Sequence, residues 1–184
     1  MMFDRSPRNI VPRDAARLAL PIRGRLRIVA VTVDPSDALV DEIASELRPD
    51  LIQLHGRETP TRVREVAARS GAGVIKVISV SGPEDLEGVS VYADVAEHLM
   101  FDTKLPPASD RPGGAGARFD WSILSGRRFE RPWFVAGGLD PWNVAEAMRV
   151  TGAPLVDVSS GVERGPGLKD PALIRAFLEQ VGRA

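Results

Sequence analysis

The apolar positions of this chain fall into short, almost unbroken β-branched runs separated by stretches of helical period. RIVAVTV (27–33), DLIQLH (50–55), GVIKVISV (73–80), HLMFD (98–102), PWFVAG (132–137) and PLVDVSS (154–160) read as strands. Their hydrophobicity is continuous rather than alternating, which suits strands covered on both faces, as in parallel sheets. Helical patterns occupy 12–20, 36–48, 60–70, 83–94, 120–126, 141–150 and 170–182. Several open on a cap residue or a first-turn proline: Asp34-Pro35-Ser36, Thr59-Pro60, Gly82-Pro83, Asp140-Pro141 and Asp170-Pro171. Such alternation predicts βαβ units with right-handed crossovers. Two architectures share that pattern, an open doubly wound sheet and a (β/α)8 barrel.

The tally of elements favours the barrel. Seven helical patterns stand against six strands, with Met1-Met2-Phe3 as a strand stub ahead of the first helix. The expectation is an α/β fold, a (β/α)8 TIM barrel lacking its first βα unit, in which residues 1–184 form a single domain incomplete at the N-terminus. One connection, Thr103 to Phe119, is long and carries Gly113, Gly114 and Gly116. Loops of that length are often functional, and this one reads as a lid beside Asp102.

Composition narrows the chemistry. With 24 basic and 25 acidic residues the net charge is −1, which gives no footing for nucleic acid or an anionic membrane. Cys is absent, so disulfides, thiolate metal sites and thiol nucleophiles drop out. No apolar run reaches the ~18 residues of a membrane span, and a cytoplasmic setting is the expectation. The last two strands end in Gly137-Gly138 and in Ser159-Ser160-Gly161, turns whose backbone N–H groups can close on an anion. In a (β/α)8 barrel the loops after the seventh and eighth strands are the usual phosphate site, so a phosphorylated small molecule is the expected ligand. Gly137, Gly138, Ser160 and Gly161 are the candidate contacts.

Other strand ends carry Ser6-Pro7-Arg8, Gln53-Leu54-His55-Gly56 and Asp102-Thr103-Lys104, and Phe119-Asp120-Trp121 follows the Gly-rich loop. In this order, with Gly137-Gly138-Leu139 and the DVSSGVE run from Asp157 to Glu163, they resemble the phosphoribosylanthranilate isomerases of tryptophan biosynthesis over essentially the whole chain. The resemblance implies an Amadori rearrangement of N-(5-phosphoribosyl)anthranilate that needs no cofactor and no metal. It implies Asp102 as the general acid and Arg8 as the residue holding the anthranilate carboxylate with its planar fork. His55 lines the pocket or serves structure; Asp157 faces the phosphate or makes a structural hydrogen bond. His98, at the opposite end of its strand, is read as structural.

The family's first strand carries a Lys-Ile-Cys-Gly motif whose Cys is the general base, and this chain has neither the motif nor any Cys. Little or no isomerase activity is therefore expected of the 184 residues themselves. The alternatives are a non-catalytic phosphosugar-binding barrel and a related lyase of the indole-glycerol-phosphate synthase kind. For the lyase only Lys76 lies on a candidate central strand. The sequence does not speak to oligomeric state.

Overall fold

The computed structural model describes residues 1–4, 6–104 and 119–184, so most of the loop read as a lid lies outside the described residues. Among the described residues six strands make up the main sheet: β1 (Val29–Thr32), β2 (Leu51–Leu54), β3 (Gly73–Val80), β4 (His98–Thr103), β5 (Trp133–Val135) and β6 (Leu155–Val156). They stand in one sheet in sequence order, β1 through β6. A doubly wound sheet reverses its order at a switch point, whereas barrel strands do not. The open-sheet alternative is thereby excluded.

The described residues gather into two compact units, Met1–Val77 with Val91–Leu99, and Ile78–Ser90 with Met100–Ala184. In the first, β1 and β2 pair in parallel from Val29 opposite Leu51, and β2 meets β3 from Leu51 opposite Gly73. Met2 adds an isolated parallel bridge to Thr32. Its helices are α1 (Pro12–Ala19), α2 (Asp37–Glu42) and α3 (Pro60–Ser70). Ser36 caps α2 by accepting from the Leu39 N–H, and Thr59 caps α3 by accepting from the Arg62 N–H. After α2 the chain widens into a π turn, Ile43–Leu47, and stops at Arg48 in a left-handed conformation. Val40, Ile43, Leu47, Ile52, Leu54, Val63 and Val66 are all buried and form the core of this unit.

The second unit pairs β5 with β6, Phe134 opposite Leu155. It holds α4 (Val144–Thr151) and α5 (Pro171–Val181), the latter capped by Asp170 accepting from the N–H groups of Ala172 and Leu173. Phe101, Phe129 and Trp133 stack edge-on and tilted with centroids 4.5–5.5 Å apart. Two helical expectations fail here. Residues 83–94 form two 3₁₀ turns, Pro83–Leu86 and Val89–Tyr92, because Gly88 between them adopts φ +74°. Residues 120–126 give one 3₁₀ turn, Trp121–Leu124, ended by Gly126 at φ +69°. An element absent from the sequence reading also appears, an antiparallel hairpin of β7 (Glu163–Gly165) and β8 (Leu168–Lys169). No helix among the described residues is long and apolar enough to cross a membrane.

His98 is half-buried at the start of β4, with Nδ1 3.6 Å from Glu97 Oε1. Burial pushes its pKa below the usual 6.5 against the opposing pull of Glu97. The folded state thus favours neutral imidazole, and its contribution is intact above the unfolded pKa of about 6.5. As pH falls below that value the unfolded chain takes up the proton first and stability declines, levelling once the folded chain is also protonated. Melting temperature measured from about pH 7 to about pH 5 is expected to fall less steeply in His98→Gln than in the unsubstituted chain. Parallel slopes would exclude His98 as the source.

Candidate active site

The carboxyl ends of β4, β5 and β6 supply the candidate site in the second unit. Asp102, the penultimate residue of β4, is half-buried and its Oδ1 accepts the Thr103 N–H at 2.7 Å. The Thr103 hydroxyl is buried and has no hydrogen-bond partner among the described residues. Gly137 follows β5 with φ +87° and Gly138 with φ +64°. A Cβ built on Gly137 would collide with the Thr103 hydroxyl and come 2.7 Å from Asp102 Oδ1. Only glycine therefore allows the turn to lie this close to the carboxylate.

The turn is held from its far side. Asn143, buried, donates to the Gly138 carbonyl at 3.0 Å and accepts the Asp140 N–H at 3.0 Å, while Asp140 accepts the Trp142 N–H at 2.8 Å. These side-chain bonds hold residues 140–143 out of the helix, so α4 begins at Val144 rather than at Pro141 as the sequence suggested. Gly161, in the 3₁₀ turn Ser160–Val162 after β6, packs against the neighbouring turn: a Cβ there would collide with the Leu139 carbonyl. The Gly-Gly and Ser-Gly turns are thus in direct contact. Lys169 of β8 donates to the Ser159 carbonyl at 2.7 Å and pairs with Glu163 of β7 at 2.8 Å, bracing the Ser-Gly turn from behind.

Asp157 is half-buried just past β6, its N–H donating to the Val135 carbonyl at 3.0 Å. Lys104 donates to Asp85 at 2.7 Å. That bond, with the N–H groups of Ser81 and Gly82, holds the Asp85 carboxyl well below the usual carboxylate range. The DTK segment is thus anchored at its third residue.

Two more of the sequence candidates lie in the first unit. Arg8 is half-buried in the loop before α1, where its N–H donates to the Ser6 hydroxyl at 3.1 Å. His55 is half-buried after β2, its N–H donating to the Thr32 carbonyl at 2.9 Å. Around His55 is a cluster that sequence reasoning missed. Lys76 of β3 and Glu58 are 2% and 3% exposed and pair at 2.8 Å. Glu58 was unremarkable in the sequence. The available signal was a Lys inside the apolar run VIKV, which a buried strand tolerates only when the charge is paired. With its ammonium taken by Glu58 and two carbonyls, Lys76 is a poor candidate for a lyase acid.

The sequence model of N-(5'phosphoribosyl)anthranilate (PRA) isomerase matches residues 1–180. The chain belongs to that family. It is 63% identical over 185 aligned positions to the N-(5'-phosphoribosyl)anthranilate isomerase of Caulobacter vibrioides, covering 100% of this chain and 84% of that one. It is 62% identical to the isomerase of Caulobacter sp. strain K31, with 100% and 86% covered. Among solved structures, phosphoribosyl anthranilate isomerase from Thermotoga maritima superposes with a TM-score of 0.86 at 33% identity, over 99% of this chain and 85% of that one. A phosphoribosyl anthranilate isomerase in complex with reduced 1-(o-carboxyphenylamino)-1-deoxyribulose 5-phosphate gives 0.83 at 32% identity, with 99% and 84% covered. The fold is accordingly that of the TIM-barrel isomerases of this family.

Proposed function

We propose that the chain binds N-(5-phosphoribosyl)anthranilate and acts in its Amadori rearrangement to 1-(2-carboxyphenylamino)-1-deoxyribulose 5-phosphate, in tryptophan biosynthesis. The observation that carries this is the contact between the Gly137-Gly138 and Ser160-Gly161 turns beside the half-buried Asp102 carboxylate. An anion against these turns would meet backbone N–H donors with no side chain in the way. Asp102 would protonate the furanose ring oxygen as the C1–O bond breaks, and a base would then take the C2 proton to leave an enolamine that tautomerises to the ketose. Arg8 is proposed to hold the substrate carboxylate, and His55 to line the pocket.

The family resemblance gives the base role to a Cys, and none occurs among the 184 residues. Direct measurement of isomerase rate beside ligand binding tests this reading, and binding without turnover would leave phosphosugar binding alone.

The binding site itself is tested by calorimetry with inorganic phosphate and with the reduced carboxyphenylamino-deoxyribulose phosphate. Both are expected to bind the unsubstituted chain and His98→Gln alike. Gly161→Ala should lose both, because the added methyl displaces the Leu139 peptide, and should cost about 1–3 kcal/mol in stability as an overpacked site. Undiminished phosphate binding by a folded Gly161→Ala would overturn the assignment of the phosphate to these turns.

A further inference from the structure

We propose that Lys76 and Glu58 are positioning residues for the substrate site, fixing the strand-end segment that carries His55; this rests on the reading above that His55 lines the pocket. The Lys76 ammonium donates to the Leu54 carbonyl at 3.4 Å and the Gly56 carbonyl at 2.8 Å, the carbonyls of the two residues that flank His55. It also donates to Glu58 Oε2 at 2.8 Å. Glu58 in turn accepts the Gly56 N–H through both oxygens, at 3.1 and 3.0 Å, and the Asp34 N–H at 2.9 Å. One buried carboxylate thus ties the segment after β1 to the segment after β2.

The surroundings leave this segment little freedom. Asp34 sits at φ +43° and accepts the Arg57 N–H at 2.7 Å, and a Cβ on Gly56 would collide with the Asp34 carboxylate. Tyr92 donates to the Glu58 carbonyl at 3.0 Å, and its ring lies 5.9 Å from the Lys76 ammonium. His55 is therefore held at both neighbouring peptides by groups that do not reach solvent. A loop clamped in this way presents its side chain in one orientation before ligand arrives. An ammonium serving only to fill the core would not be needed, since an apolar side chain of similar length packs as well.

That last point supplies the test. Lys76→Met/Glu58→Gln removes both charges together, keeps the shape, and is expected to stay folded with a smaller loss of stability than Lys76→Met alone. It loses the donor to the Leu54 and Gly56 carbonyls. Its affinity for the reduced carboxyphenylamino-deoxyribulose phosphate, measured by calorimetry, is expected to fall about ten-fold, while inorganic phosphate binds unchanged. In a His55→Ala background the same double substitution should produce no further loss, because the residue it positions is gone. Undiminished affinity in the double variant, or an equal additional loss in the His55→Ala background, overturns the proposal. If the unsubstituted chain fails to bind the compound, the functional reading falls instead. The positioning claim is then decided by the His55 ring resonances in solution NMR, which must shift in the double variant and which, if unmoved, refute it.

Discussion

Lys76→Met alone is expected to lower folding stability by about 3–5 kcal/mol, the usual result of stripping a buried carboxylate of its partner. Glu58 is 3% exposed and would be left without its cationic partner, with the Gly56 and Asp34 N–H groups still facing its carboxylate. Surface pairs in the same unit offer the contrast. Arg69 with Asp41, at 2.6 Å, lies exposed to water, where an ion pair contributes little. Urea unfolding monitored by tryptophan fluorescence checks the value. A loss as small as that of a surface pair would show that water reaches Glu58 or that the pair is not buried in solution.

Asp102→Asn is expected to reduce the isomerase rate under single-turnover conditions by about 10²–10⁴, while affinity for the reduced product analogue changes little. Asn is nearly isosteric and can still accept the Thr103 N–H, so the turn beside Gly137 keeps its place. What the amide cannot do is carry a proton to the ring oxygen. A rate equal to that of the unsubstituted chain would remove Asp102 from the mechanism. A parallel loss of affinity and rate would make it a binding group instead.

The strands were legible because parallel strands covered on both faces are written as continuous β-branched runs, and each of the six runs became a strand. The helices were less so. Residues 83–94 have helical spacing, yet Gly88 breaks the segment and the Asp85 side chain takes the Ser81 and Gly82 N–H groups, a local bond that competes with helix. The hairpin after Gly161 was signalled by Pro166-Gly167 between the oppositely charged Glu163 and Lys169, but its strands are too short to show alternation. At the site, Gly137, Gly138 and Gly161 could be picked out because residue type alone encodes a backbone that others cannot share. Lys76 stood out as a Lys in an apolar run, but its partner Glu58 did not, since the two are separated in the chain by a helix and their meaning lies in each other. Pairing between distant charges has no signature in one sequence.

The register of the first unit has a consequence for how the chain acquires its shape. Val29 meets Leu51 and Leu51 meets Gly73, so each strand finds its partner after the same length of chain, one strand-and-helix step later. No pairing there waits on the closure of a loop longer than the one before it, and the entropic toll is spread in equal instalments. Structure can grow by accretion, each completed step offering a ready edge to the segment next in line, in the manner of stacked repeats.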